Sequence, residues 1–476
     1  MESELNPAAD SGVDAEVQAR FVTSDKRYTV TDKPFAVPTR LKRYGLSEVI
    51  NHLLGLASPR PFDFLIDGQF LRTSLDKYIA EHALSRETIL EIEYCEAVPP
   101  PAPLHSYEHE DWVSSISFVS QAGLFLTGCY DGALRAWNQG GKCIAVFAKH
   151  TAPIKSTTLV RDTRSGEPES DKQVSLVSAS MDHTLLAWKL DVSAASCSAD
   201  IAYKLAGHTE SVDVVDSHPD AAFVCSGSFD KTIKLWTLKA GVAEEAPAAP
   251  VSKKARLAQP QPTHIVKSAL STLVGHNDAV TGVAWPSSNT IHSASMDCSV
   301  RAWDVETGRN KATMNGTKAI FGMASTSSAT SELIITGHAD EAIRVWDPRV
   351  QDGVVVKLTL RSHKGIVSSL SWAPGSQTQF ATGSYDNTVK LWDLRSRTPL
   401  FTIADHTDRV LCVNWAASDL IGSGSVDKTL QLKLLRSSDT AVAENGTSAT
   451  KTSQPMDVDT TASKPASKSK VATPRR

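Results

Sequence analysis

The chain has 476 residues, a length that suggests about three domains. Its 49 Lys and Arg nearly balance 53 Asp and Glu, and a net charge of −4 excludes a protein that coats nucleic acid by bulk charge, though not a local basic patch. Hydrophobic residues make up 41% of the chain, enough for a core, but no apolar run approaches the ~18 residues a membrane span needs, so no membrane partner is expected.

Residues 1–18 are polar and acidic, with neither the basic nor the apolar stretch of a secretory signal, and read as a disordered N-terminus. Residues 19–97 read as one small domain. Strands are expected at Arg20–Ser24 and Phe35–Leu41. A helix follows with Leu46, Val49, Ile50, Leu53 and Leu54 on one face. Phe62 to Arg72 reads as two strands around an Asp67-Gly68 turn. Thr73-Ser-Leu-Asp76 has the form of a capping box opening a second helix, and Thr88–Tyr94 is a last strand. This ββαββαβ order is that of a ubiquitin-like β-grasp.

From residue 102 the chain repeats itself. Seven segments place small residues before an Asp: Thr127 to Asp131, Ser178 to Asp182, Ser226 to Asp230, Ser293 to Asp297, Thr336 to Asp340, Thr382 to Asp386 and Ser423 to Asp427. Six residues after each of the first six Asp stands a Trp; Lys433 takes that place in the seventh. A His followed four residues later by Val or Ile opens six repeats; the fifth has Gly316 instead. Gly-His, then Ser-x-Asp, then Trp-Asp resembles the WD repeat, and seven repeats imply a seven-bladed β-propeller over 102–435. Alternation such as Ile233 and Leu235 against Lys234 is the period of a strand. Nothing is left after Leu435 for an outer strand of the last blade, so Ala102–His109 is expected to supply it and close the ring.

The resemblance implies that His, Ser or Thr, Asp and Trp form a hydrogen-bonded chain within a blade. Blade three holds the full set: His208, Ser226 or Ser228, Asp230 and Trp236. Six repeated His–Asp pairs suit a structural network better than six active sites. There is no P-loop, G-x-S-x-G or HExxH. The chain is read as a non-enzyme with no cofactor of its own. Seven scattered cysteines without a CxxC pair argue against a disulfide framework or zinc ribbon.

Residues 240–267, rich in Ala and Pro, read as a flexible insert between blades, with Lys253, Lys254 and Arg256 as a candidate nuclear import signal. Residues 436–476 read as a disordered tail, its basic end suited to nuclear import or weak contact with rRNA. The residue before each repeat Asp sits at a turn on one rim of the ring. Tyr130, Met181, Phe229, Met296 and Tyr385, with Trp112 beside them, are the candidate partner-binding residues. The competing reading is that they only shield the buried network.

The stretches Leu41 to Leu54, Pro61 to Ile66 and Leu71 to Leu75 resemble the Notchless-like N-terminal domain. With the propeller, the whole resembles the WD-repeat subunits of the pescadillo/block-of-proliferation complex, a family of large-subunit ribosome assembly factors. That resemblance implies a scaffold of the nucleus, nucleolus and nucleoplasm, acting in 60S assembly and rRNA processing on pre-60S particles. A block-of-proliferation-type WD-repeat protein would bind the propeller, with pescadillo joined through it. The ubiquitin-like domain would dock the AAA ATPase midasin, where Glu87 would complete the coordination of a Mg²⁺ held by the partner, with Asp67 and Asp76 as fallbacks. Two alternatives stand. Trp346-Asp-Pro-Arg349 and Trp392-Asp-Leu-Arg395 fit the Trp-Asp-x-Arg pattern of cullin ubiquitin ligase substrate receptors. A Notchless-type paralogue would share the N-terminal domain, but that family usually carries eight repeats.

Overall fold

A computed structural model describes residues 15–23, 25–56, 58–85, 88–120, 122–160, 173–192, 196–219, 222–239, 265–326, 332–350, 356–417 and 419–435. The N-terminal elements are β1 (Glu16–Val22), β2 (Phe35–Pro38), α1 (Arg43–Leu54), β3 (Phe62–Ile66), β4 (Gln69–Phe70), α2 (Leu75–Glu81) and β5 (Leu90–Glu96). They form one sheet ordered β2-β1-β5-β3-β4, with β1 parallel to β5, the ubiquitin-like arrangement. Glu16–Gln18 belong to β1, so the domain starts before residue 19 and the 1–18 segment is not all tail. The reason is pairing: Glu16, Val17 and Gln18 lie opposite Pro38, Val37 and Ala36 of β2.

Helix α1 buries Leu46 and Ile50 against Phe21, Phe62, Phe64 and Tyr94. Leu53 does not join them; it is 38% exposed. The inward face turns instead toward Ser47 and Asn51, whose side chains hold the loop before β3. Asn51 Nδ2 donates to the Arg60 carbonyl at 2.7 Å, and the Phe62 N–H donates to Ser47 Oγ at 3.0 Å. The capping box is absent as well. The N-cap of α2 is Ser74, with no side-chain cap. The N–H groups of Leu75 and Asp76 donate instead to the carbonyls of Leu41 and Thr39 at 3.1 and 2.8 Å, so backbone from the β2–α1 link satisfies the helix start. Asp67 and Gly68 both have positive φ, 50° and 73°, as a tight hairpin between β3 and β4 requires.

Beyond β5, the described residues form seven further sheets. Blade three is typical: Val212–Ser217, Phe223–Ser228, Thr232–Thr237 and Ser271–Val274 pair antiparallel in that order. The innermost strands contact one another in succession around the ring, and the last meets the first. Strand β6 (Pro101–Glu108) is the outer strand of the last blade, paired with Thr429–Leu435, so the ring closes on its own beginning. Trp188, Trp236, Trp303, Trp346 and Trp392 are fully buried within their blades. Blades also press on each other. A Cβ on Gly227 would stand 2.6 Å from Val280 of the next blade, so only glycine fits.

The 240–267 insert is shorter than its composition suggests. Ile265–Lys267 form a strand that pairs in parallel with Cys197–Ala206, adding a fifth strand to blade two. Lys267 causes this. Its buried ammonium donates to the Thr237 and Lys239 carbonyls at 3.2 and 2.6 Å and lies 3.8 Å from the Tyr203 ring centroid.

A candidate partner-binding site at the channel mouth

The rim is positioned by the network beneath it. In blade three Trp236 Nε1 donates to Ser226 Oγ at 2.8 Å, Ser226 Oγ meets His208 Nε2 at 2.8 Å, and His208 Nδ1 meets Asp230 Oδ2 at 2.7 Å. Ser228 stands outside this chain; its hydroxyl donates to the Ser211 carbonyl at 2.8 Å. Burial lowers the His208 pKa against the pull of Asp230, so the ring is neutral at pH 7. Its Nδ1–H therefore donates to the carboxylate and its Nε2 accepts from Ser226. Burial works against the Asp230 charge too, but hydrogen bonds from His208 and Thr232 hold its pKa well below the usual range.

Blades two, four and six carry the same four-residue chain, through His150, His276 and His363. The others depart in three ways. In blade one His109 Nδ1 turns to the Tyr107 carbonyl at 3.2 Å, and Asp131 pairs with Arg135 at 2.6 Å. In blade five the missing histidine is replaced from another strand: His338 Nε2 lies 2.7 Å from Thr336 Oγ1, and Asp340 pairs with Arg344. In blade seven His406 still bridges Ser423 and Asp427, but Lys433 reaches Asp405 where a Trp would have met Ser423. The sequence carries a sign of this. The five blades with a His–Asp bond have Thr or Ser two residues after the Asp; blades one and five have Ala133 and Ala342 there and Arg two residues further on. The Thr or Ser hydroxyl fixes one carboxylate oxygen and leaves the other for His, as Thr232 does for Asp230 at 2.6 Å.

The residue before each Asp is then held identically in all seven blades. Its N–H donates to the carbonyl of the residue just before the blade-opening Val or Ile, as Tyr130 to Trp112 at 3.0 Å and Phe229 to Ser211 at 2.9 Å. Tyr130, Phe229, Met296 and Tyr385 converge on a cavity of about 400 Å³ at the mouth of the central channel. Met181 does not line it and stands 41% exposed on the rim, while Val426 is buried. Trp112 stacks obliquely on Tyr130, ring centroids 5.0 Å apart.

Residue spacing also misses two cations here. Lys155 Nζ donates to the Tyr130 hydroxyl at 3.0 Å, and the Arg409 guanidinium lies 6.0 Å from the Trp112 ring and 5.5 Å from the Tyr385 ring. Burial opposes the Lys155 charge, but Asp213 and Tyr130 outweigh it and raise its pKa. Strand alternation could have found Lys155 and Asp213. Each directly follows a blade-opening Ile or Val that packs into the core, so each faces the channel.

Glu87, and the Lys253, Lys254 and Arg256 cluster, lie outside the described residues. Asp67 and Asp76 are exposed, at the β3–β4 turn and in the first turn of α2. Arg349 and Arg395 each turn back on the Asp of their own motif, both at 2.9 Å. Arg395 also lies 5.4 Å from the Phe70 ring of the N-terminal domain, so that surface is occupied within the chain. Among the described residues no group of three or more His, Cys, Asp and Glu is placed to hold a metal ion, and no helix is long and apolar enough to cross a membrane.

Residues 17–79 match the NLE (NUC135) domain, and 101–138, 199–237, 267–304 and 355–393 match the WD domain, G-beta repeat. A ribosome biogenesis protein WDR12 homolog of Nematostella vectensis is 38% identical over 426 residues, covering 88% of this chain and 99% of the relative. The chain belongs to the WDR12 family of ribosome biogenesis proteins. WDR12 homologs of Oryza sativa subsp. japonica and Arabidopsis thaliana are 37% and 35% identical, covering 87% and 88% of this chain and 95% and 97% of theirs. The likeness to WDR12 relatives thus runs through both domains, and the seven propeller sheets fall short of the eight repeats usual in the Notchless-type alternative.

Proposed function

We propose that the chain is a non-catalytic scaffold of large ribosomal subunit assembly and rRNA processing in the nucleus and nucleolus. The observation that carries this is the family likeness across the N-terminal domain and propeller together. A propeller alone would say only that something is bound. In this reading the channel mouth binds a block-of-proliferation-type WD-repeat protein, and pescadillo joins through that partner. Exposed aromatic side chains on a rigid rim are suited to anchor it: Phe229 is 44% exposed, yet its backbone is tied at 2.9 Å.

The ubiquitin-like domain serves the second partner, midasin. Mg²⁺ prefers oxygen ligands in an octahedron, and a carboxylate brought by a docking protein can fill an incomplete set. Glu87 is assigned that role. Pulling by the ATPase would then remove the protein and its partners from the pre-60S particle.

The test is purification of tagged full-length protein from nuclear extract, as wild type, Glu87→Ala and Tyr130→Ser/Phe229→Ser. Wild type should retain pescadillo, the block-of-proliferation protein, pre-60S material and midasin. Glu87→Ala should lose midasin alone, and the rim variant should lose the propeller partner. Wild type without pre-ribosomal material would overturn the reading. A rim variant that keeps every partner would move the interface to another face.

A further inference from the structure

Neighbouring blades are joined at the channel wall by hydrogen bonds, and one of them is made by a residue of another kind. The fourth residue after each blade-opening Val or Ile is Ser117, Thr158, Asp216, Ala284, Ala324, Ser371 and Asn414. In blade six Ser371 Oγ accepts the N–H of Trp415 from the next blade at 3.0 Å. In blade three Asp216 Oδ2 accepts the N–H of Trp285 from the next blade at 2.8 Å. The repeat itself shows that a hydroxyl suffices for this join. Asp216 adds a negative charge that the join does not require.

Among the described residues no lysine or arginine is bonded to that charge. Its other oxygen accepts the Ser217 N–H at 2.9 Å, and the Thr158 hydroxyl is a further neutral donor. Burial pushes its pKa up to about 6 despite these bonds. A partly buried carboxylate without a bonded cation costs stability, and a serine would avoid the cost.

The group faces a cavity. Val212 pairs with Ser228, beside the Asp230 turn, and Ser217 pairs with Val224, so Asp216 lies at the end of the channel away from the aromatic mouth. A cavity of about 470 Å³ opens there, walled by Ser117, Thr157, Thr158, Asn414 and Phe118 around Asp216. Among the described residues Asp216 is its only acid, no lysine or arginine lines it, and His218 adds an imidazole. One carboxylate and one imidazole among hydroxyls fall short of the three or more ligands a metal ion would need among the described residues. The set would repel phosphate. It suits a guanidinium, whose fixed N–H donors need one carboxylate and several neutral oxygens and whose flat face can rest on an aromatic ring.

We propose that this floor cavity receives an arginine side chain presented by a partner protein, with the Asp216 carboxylate as its anchor. The inference does not depend on which partner occupies the opposite mouth.

The Trp285 amide, bonded to Asp216, is a direct reporter. Full-length protein labelled with ¹⁵N-tryptophan is titrated with acetyl-Gly-Arg-Gly-amide and with its citrulline counterpart. The arginine peptide should move the Trp285 resonance saturably, and the uncharged citrulline peptide should not. Asp216→Ser copies the Ser371 join, so it should keep its melting temperature within a few degrees and bind the arginine peptide at least about tenfold more weakly. If Asp216→Ser does not fold, Asp216→Asn preserves shape and serves the same comparison. No response to arginine, an equal response to citrulline, or undiminished binding by the variant would overturn the proposal. So would a Trp285 shift on changing Arg475 and Arg476 to Ala with no peptide present, because the occupant would then be the chain's own tail.

Discussion

At the scale of single residues, the blade network is a set of neutral donors converging on a carboxylate. Two oxygens of Asp230 take bonds from His208, the Thr209 N–H and the Thr232 N–H and hydroxyl. Removing the ring by His208→Ala strands Ser226 and Asp230 in a buried site. Unfolding in denaturant should show a loss of about 1–3 kcal/mol. The turn that follows each Asp is left-handed, and six of the seven residues at that place are not glycine. Glu341, with φ of 65°, is exposed and lies in a blade whose Asp already pairs with Arg344. Glu341→Gly should therefore raise the melting temperature, with a gain of up to about 1 kcal/mol, because relief of the left-handed strain outweighs the added freedom of the unfolded chain.

At the scale of elements, the ring depends on β6. Its Tyr107 is 2% exposed and packs on Trp137 of blade one at 5.4 Å between centroids while its strand completes blade seven. Tyr107→Ala should cost about 3 kcal/mol and open the closure to protease between the two domains, as limited proteolysis would show by release of the N-terminal domain. A variant as resistant as wild type would mean that closure rests on the backbone ladder alone. Lys267 acts similarly over a shorter range: it converts the end of a long insert into an extra strand. Composition cannot reveal this, because a lysine beside Ala- and Pro-rich sequence reads as solvated until Tyr203 and two carbonyls are brought to it.

For the whole molecule, buried neutral histidines set the response to acid. Burial lowers His109, His292 and His338 to about 4, below the ordinary value near 6.5. The unfolded chain therefore binds protons that the fold refuses. Their contribution is complete above about pH 6.5 and is lost as pH falls toward 4, each unmatched proton contributing about 1.4 kcal/mol per pH unit. The network aspartates, held low, add to the loss below about pH 4. Melting temperature should fall steadily from about pH 6.5 to pH 4.5, and a flat profile would contradict this account. His338→Gln, which retains a side chain able to reach Thr336, should flatten part of that slope.

Much was legible in the chain by itself. The spacing of His, Asp and Trp determined seven blades, because even where the polar chain departs from the pattern the turn before each Asp is held by the same backbone bond. The last repeat's end near Leu435, with Ala102–His109 ahead of the first repeat, pointed to a ring that closes on β6. The Asp67-Gly68 pair determined the N-terminal hairpin, since few dipeptides accept two positive φ angles. Other features were decided only when distant residues met. His338, two residues beyond Thr336 on one strand, could fill the place of a missing histidine because the chain at Lys318 brings a carbonyl to its Nδ1. Backbone carbonyls could start α2 in place of its own threonine. Lys155 and Arg409 could join the aromatic rim because four blades converge at the channel. The surplus charge of Asp216 became visible only when the serine doing its work stood in the equivalent place of another blade. Repetition in sequence specifies what each blade must do alone; what the blades do together depends on which side chains the closed ring brings within reach.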